Sequence, residues 1–239
     1  MIHLENERYR MKNIKVIGFD ADDTLWVNET YYRETEKEFA KLMSAYLPEE
    51  EVHKQLFSTE MQNLRIYGYG TKGFILSLIE SAIKISKGDV SNEVLSEIIE
   101  MGKSMLQKPI ELLPGVQEVL EQLSDDYTLI VVTKGDLVNQ EQKLDRSGLM
   151  NYFDRIEILS DKKEMNYQGI LNSLNIYPDE FAMVGNSIRS DIKPVLNLGC
   201  TAVHIPFHTT WVHEESNTDN LISERFIELK TIKGMLANF

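Results

Sequence analysis

The sequence predicts an α/β protein: a parallel sheet flanked by helices, with an α-helical subdomain inserted after the first strand. Three observations predict it. The apolar run from Ile14 to Phe19 breaks off into charge at Asp20, as a strand buried on both faces does where it leaves a sheet. From Trp26 to about Pro109 there is no strand signal, and apolar residues recur at helical spacing. Beyond Pro114 and Gly115, short β-rich runs alternate with amphipathic ones, which is the pattern of a parallel sheet joined by crossover helices.

Each element follows from local signals. Residues 1–13 are polar and precede the first strand as an extension, unlike a signal peptide. Glu29 to Tyr46 places Tyr32, Phe39, Leu42, Met43 and Tyr46 on one helical face. Pro48 ends that helix or starts the next, which runs through Val52, Leu56 and Met61. Gly68, Tyr69 and Gly70 break the pattern, and Thr71 is the expected N-cap of a helix carrying Phe74, Leu78 and Ala82. Gly88 and Asp89 turn the chain, and Ser91 caps a helix through Leu95, Ile98 and Met105. The alternating half then reads as helix Val116–Leu123, strand Tyr127–Thr133, helix Asp136–Ser147 stopped by Gly148, strand Arg155–Leu159 and helix Glu164–Leu174. Strand Phe181–Gly185, helix Ile188–Leu198 and strand Cys200–Ile205 follow, then a strand near Phe226–Leu229 and a short helix from about Ile232 to Ala237.

Composition narrows the function. The 239 residues carry a net charge of −13, which disfavours nucleic acid and anionic membrane surfaces as partners. A small anionic substrate stays compatible, because a bound cation sets the potential of a pocket. Cys200 is the only cysteine, so no internal disulfide forms, and a reducing cytoplasmic setting is expected. No apolar run approaches the ~20 residues of a membrane-spanning helix.

The chemistry concentrates at strand ends. Asp20, Asp22, Asp23 and Thr24 follow the first strand directly, where ligands bind in open α/β sheets. Asp20 is the candidate nucleophile, since a carboxylate that forms a covalent intermediate splits one hard displacement into two easier ones. Asp22 suits general acid–base work. Asp23 reads as a turn or helix-capping acid. Thr133 ends YTLIVVT, and the backbone N–H of Lys134 beside it offers a second donor to an anionic oxygen. Lys162, with Lys163 as the alternative, follows RIEILSD and supplies positive charge. Asn186 and Asp191 follow FAMVG, and either suits a hard cation such as Mg²⁺. Arg65, Tyr67, Tyr69 and Lys72 flank the glycine break and are candidates for recognising a leaving group. His204, His208 and His213 with Trp211 read as a loop at the mouth of the site, in preference to a transition-metal centre.

Asp20, Asp22 and Thr24 after an apolar strand, then Thr133, Lys162 and the Asn186/Asp191 pair in that order, resemble the four motifs of the haloacid dehalogenase-like (HAD) hydrolases, from about Ile14 to about Pro206. The resemblance implies a Rossmann-like core over residues 1–25 and 111–239, with a C1-type helical cap over 26–110 that selects substrates. It implies a Mg²⁺-dependent phosphatase that takes the phosphoryl group of a small phosphorylated metabolite onto Asp20. The metal would be held by Asp20, the backbone carbonyl of Asp22, Asn186 and Asp191. Thr133, Lys134, Lys162, Arg65 and Lys72 would contact substrate. Asp22 favours phosphate esters, because dehalogenases and phosphonatases of the family lack an acid there. Asn186 departs from the family's usual GDxxxxD. A phosphomutase, a dehalogenase and a non-catalytic binding protein are the rival readings.

Overall fold

The computed structural model describes residues 13–209, 211–214 and 223–239. The expected N-terminal extension therefore lies almost wholly outside the described residues. The chain divides into two compact units. The first comprises residues 1–29, 110–134 and 143–239; the second comprises Thr30–Pro109 and Gly135–Gln142.

The first unit is built on a six-stranded sheet. Its strands are β1 (Val16–Phe19), β2 (Thr128–Lys134), β3 (Arg155–Leu159), β4 (Phe181–Gly185), β5 (Thr201–His204) and β6 (Phe226–Glu228). The spatial order is β3-β2-β1-β4-β5-β6, and every pairing is parallel. From β1 the chain moves outward to β2 and β3, then returns to the other side of β1 for β4. The order thus reverses between β1 and β4, and at such a point the carboxyl ends of the strands open a crevice. Phe19 lies level with Val131 on β2 and Val184 on β4, so the next residue, Asp20, emerges into that crevice.

Strand alternation sorts the core into two layers. Ile17, Phe19, Leu129, Val131, Ala182, Val184 and Val203 face one way, against Val116, Val119, Leu120 and Leu123 of the helix Val116–Leu123. Val16, Ile130, Val132, Phe181, Met183 and Ala202 face the other, against Tyr167, Ile170 and Leu171 of the helix Glu164–Leu174. Each fully buried side chain of this size contributes about 1.5–3 kcal/mol. Gly18 belongs to the second face, where a Cβ would lie 2.8 Å from the Phe181 ring. The smallest residue therefore lets the aromatic ring cross the strand.

The second unit holds α1 (Glu29–Leu42, whose first residue lies in the first unit), α2 (Glu49–Tyr67), α3 (Thr71–Ile85) and α4 (Asn92–Gln107). Its core is Phe39, Met43, Val52, Leu56, Phe74, Leu78, Ala82 and Ile98. Ser91 caps α4 by accepting from the Val94 N–H, as expected. Two local expectations are corrected. Helix α1 stops at Leu42, four residues before Tyr46, and the chain turns before Pro48 opens α2. The N-cap of α3 is Gly70, at φ 110°, and Thr71 is the first helical residue, its hydroxyl 3.1 Å from that of Tyr32. Gly70 can reach this left-handed φ where Thr is strained.

The element after β4 also differs from the expected continuous helix. A π-helical turn spans Ile188–Ile192, and a short α-helix covers Lys193–Asn197. Pro194 has no N–H to give the carbonyl four residues back, that of Ser190. The Tyr167 hydroxyl donates to that carbonyl instead, at 3.0 Å.

Candidate active site

Asp20, Lys162 and Asp191 form the centre. Lys162 Nζ donates to Asp20 Oδ1 at 2.5 Å and to Asp191 Oδ1 at 2.6 Å. All three residues are buried, Asp191 to 1 % exposure. Burial alone would strip the charge from Lys162, but the Asp191 and Asp20 carboxylates outweigh it and hold the ammonium above its ordinary range. Burial lifts the Asp20 carboxyl to about 7 in spite of Lys162, with Asp191 and Asp22 adding negative charge nearby. One ammonium shared between two carboxylates leaves the ionised cluster with a net negative charge.

Local structure places each member. Asp20 is fixed by strand pairing, its N–H donating to the Val184 carbonyl at 2.8 Å. Asp191 is turned inward by the π-helical turn, a feature frequent at functional sites. Its Oδ2 accepts from the Ser187 N–H at 2.9 Å. A Cβ on Gly185 would lie 2.3 Å from Asp191 Cγ, so the glycine ending β4 makes room for the carboxylate. Lys163, the alternative lysine, points outward, pairs with Asp161 and leaves the centre to Lys162.

Thr24 joins Asp20 to Asn186. Its hydroxyl donates to Asp20 Oδ2 at 3.0 Å and lies 3.4 Å from Asn186 Oδ1. The amide oxygen of Asn186 is thereby turned toward the Asp20 carboxylate. His204 supports the same residue, with Nε2 3.1 Å from the Asn186 carbonyl and Nδ1 3.0 Å from Glu228. His204 is thus a buried strand-end residue, separate from the expected loop of histidines. His213 lies beside Arg189. No group of three His, Cys, Asp or Glu side chains converges as a metal centre among the described residues.

The donors near Asp20 fit a hard cation. They are a carboxylate and an amide oxygen, with no sulfur or imidazole nitrogen among them, which suits Mg²⁺. Asp191 takes Lys162 and the Ser187 N–H on its two oxygens, as Asp20 takes Lys162 and Thr24, and the lone pairs left on each carboxylate suit a cation.

Asp22 lies off this centre. Trp26 Nε1 donates to its Oδ1 at 2.7 Å, and Lys143 Nζ to the same oxygen at 2.9 Å. Asp23, at φ 64°, turns the chain and accepts from the Asn28 and Glu29 N–H groups at the start of α1, in the capping role expected. Thr133 lies buried near the end of β2. The Lys134 side chain donates to Ser190 at 2.8 Å and to Glu214 at 2.6 Å, while Ser187 and Ser190 donate to the other oxygen of Glu214. Burial would raise the Glu214 carboxyl, but Lys134 and the two hydroxyls bring it down to about 2. Arg65 and Lys72 belong to the helical unit, where Arg65 is exposed and Lys72 pairs with Asp136 at 2.9 Å.

Sequence reasoning assigned no part in the site to Lys143, Trp26, Glu214, Ser190 or Tyr167. Trp26 carried a signal, as a large residue four positions past the acid it holds. Ser190 adjoins Asp191 in the sequence, while Lys143, Glu214 and Tyr167 meet the site only through long-range folding.

The chain is also similar to known proteins in sequence and in fold. The family model of the haloacid dehalogenase-like hydrolases matches residues 14–199. N-acylneuraminate-9-phosphatase of Homo sapiens is 25% identical over 215 residues, covering 85% of this chain and 84% of that protein. Glyceraldehyde 3-phosphate phosphatase of Methanothermobacter thermautotrophicus is 25% identical over 236 residues, covering 92% and 99%. A haloacid dehalogenase-like family hydrolase from Xanthomonas campestris superposes with a TM-score of 0.82 at 37% identity, covering 93% of this chain and 88% of that one. A 2-haloacid dehalogenase from Pseudomonas syringae shares the fold at a TM-score of 0.62 and 20% identity, covering 94% and 97%. The chain belongs to the haloacid dehalogenase-like hydrolases.

Proposed function

We propose that this hydrolase removes phosphate from a small phosphorylated metabolite through a phosphoryl group carried on Asp20. The observation that carries the reading is the buried Asp20–Lys162–Asp191 cluster at the sheet's crossover, with a second acid, Asp22, two residues beyond the nucleophile. The fold alone does not choose between phosphatase and dehalogenase, because it hosts both. Asp22 does, because displacing an alkoxide calls for a proton and displacing a halide does not.

Asp20 attacks phosphorus in line while the bond to the leaving oxygen breaks, and Asp22 gives that oxygen its proton. Water then attacks the aspartyl phosphate, gives its proton to Asp22, and free phosphate leaves as the bond to Asp20 breaks. Lys162 offsets negative charge throughout. Thr133 and the Lys134 N–H hold phosphate oxygens from the end of β2. Mg²⁺, held by Asp20, Asn186 and the Asp22 carbonyl, would neutralise charge between nucleophile and phosphate. Asp191 acts through Lys162. The helical unit serves as the C1-type cap that chooses the substrate, with Arg65 and Lys72 as its candidate contacts.

The test is a panel of phosphorylated metabolites assayed with MgCl₂ for released phosphate. It should include N-acylneuraminate 9-phosphate and glyceraldehyde 3-phosphate, named by the relatives. Hydrolysis should appear on at least one compound and be lost by ~10³-fold or more in Asp20→Asn, whose isosteric amide is a poor nucleophile. Activity retained by that variant removes Asp20 as nucleophile. Substrate consumed without free phosphate indicates a mutase.

A further inference from the structure

Glu214 belongs to none of the four motifs, yet three donors converge on its carboxylate. Lys134 Nζ donates to Oε1 at 2.6 Å, and the Ser187 and Ser190 hydroxyls each donate to Oε2 at 2.6 Å. The side chains of Lys134 and Glu214 are 13 % and 12 % exposed, and both serines are buried. Glu214 ends the short 3₁₀ turn Val212–Glu214, where its N–H donates to the Trp211 carbonyl at 2.8 Å. The same turn has a second hold, since Arg189 donates to the His213 carbonyl at 2.6 Å. One short segment beyond β5 thus grips the end of β2 at Lys134 and the turn after β4 at Ser187, Arg189 and Ser190.

Those points adjoin the site. Ser187 follows Asn186, and its N–H donates to Asp191 Oδ2 at 2.9 Å while its hydroxyl accepts from the Ser190 N–H at 3.1 Å. Ser190 precedes Asp191. A π-helical turn is a rare form, and this one is held from outside, by Tyr167 at the Ser190 carbonyl and by Glu214 at the two hydroxyls. An ionised carboxylate suits the centre of such a clamp, because it accepts on both oxygens and balances the charge of Lys134. An amide there would offer one oxygen and turn N–H groups toward a donor. We propose that Glu214 is a positioning residue for the cation site: by clamping Ser187 and Ser190 it fixes the backbone that presents Asn186 and Asp191 to Asp20, in the arrangement that takes Mg²⁺. The inference rests on the reading of Asp20 and Asn186 as holders of that cation. Glu214 acts through the serines and is not itself a ligand.

The test titrates MgCl₂ into the full chain without substrate, by calorimetry, at a temperature where circular dichroism shows each variant folded. A loss of stability alone then leaves the dissociation constant in place. Wild type should take up Mg²⁺, and Asp20→Asn should lose most of that uptake, which ties it to the site. Glu214→Asp keeps the charge but is one methylene short of the serines. It should weaken Mg²⁺ binding about tenfold, the lower end of the 10- to 100-fold that support behind a metal ligand is worth. Ser190→Ala removes one of the three donors, also without a change of charge. It should move the constant the same way, and it serves if Glu214→Asp folds poorly. Glu214→Gln should weaken binding at least as much as Glu214→Asp. Constants within about twofold of wild type in Glu214→Asp and Ser190→Ala, with uptake lost in Asp20→Asn, overturn the positioning role and leave the cation site standing. Weakening in Glu214→Gln alone traces the effect to charge acting at a distance, and overturns the role equally. No uptake by wild type, or full uptake by Asp20→Asn, removes the cation from Asp20 and overturns both.

Discussion

Asp191 gives the sharpest test of how the site is divided between metal and lysine. Its carboxylate takes Lys162 Nζ at 2.6 Å on one oxygen and the Ser187 N–H at 2.9 Å on the other. Asp191→Ala removes both acceptors at a position 1 % exposed. Lys162 keeps Asp20 as its partner, so the main cost is the buried Ser187 N–H left unpaired, about 1–3 kcal/mol. For a chain of 239 residues, about 2–4 °C of Tm goes with each kcal/mol, so Tm should fall by roughly 2–12 °C. Asp191→Asn keeps the shape and an acceptor and should lose less. Activity in Asp191→Asn should drop by about 10²-fold or more through a misplaced Lys162, the scale for one positioned electrostatic group. Its MgCl₂ half-saturation should stay within about threefold of wild type if, as proposed, Asp191 acts through Lys162 and not on the metal. Asn186→Ala should show the converse, a half-saturation raised by about tenfold or more, and Asn186→Asp should lower it, since a hard cation gains more from a carboxylate. The assay is phosphate release against MgCl₂ beside a thermal melt. If Asp191→Asn raises the MgCl₂ requirement as much as Asn186→Ala does, Asp191 is itself a ligand and the division is wrong.

Two further outcomes follow from the same contacts. Glu214 is held down to about 2 in the folded chain, so the stability it confers is present above its ordinary value near 4.5 and is lost as pH falls from there through 2. Glu214→Gln should therefore melt below wild type at pH 7, with the gap narrowing by pH 3; an equal gap at both values contradicts the linkage. In the helical unit, Arg65→Ala should shift relative kcat/KM across the metabolite panel more than Lys72→Ala does. Lys72 is already engaged by Asp136, so equal losses on every compound in both variants would argue against a recognition role.

Much of the sheet was legible because parallel strands buried on both faces leave continuous apolar runs. Phe181–Gly185 and Arg155–Leu159 match the expected bounds residue for residue. Val16–Phe19 and Thr201–His204 are shorter than the runs that announced them, since an apolar run registers burial and a strand ends where its pairing does. Among the site residues, the choice of Lys162 over Lys163 came from its distance past a strand end, and the structure turns Lys162 inward.

The division of labour between Asn186 and Asp191 was not legible, for a physical reason. Spacing alone places Asn186 and Asp191 on a strand–helix turn and says nothing about which one faces the cation. The outcome depends on a π-helical turn rather than an α-helical one. That turn depends on Pro194, which lacks the N–H an α-helix would give to Ser190, and on Tyr167, whose hydroxyl reaches that carbonyl from a different helix. It also depends on Gly185, which leaves the space a side chain would deny to Asp191. Pro194 and Gly185 were visible as letters, but each has its effect only through a partner brought in by the tertiary fold. Lys143 is the same case carried further: a lysine on a polar helix has no local signal, and only the tertiary fold brings it within 2.9 Å of Asp22 Oδ1. The motifs therefore place the charged groups at the strand ends, while residues outside them set the contacts that each carboxylate makes.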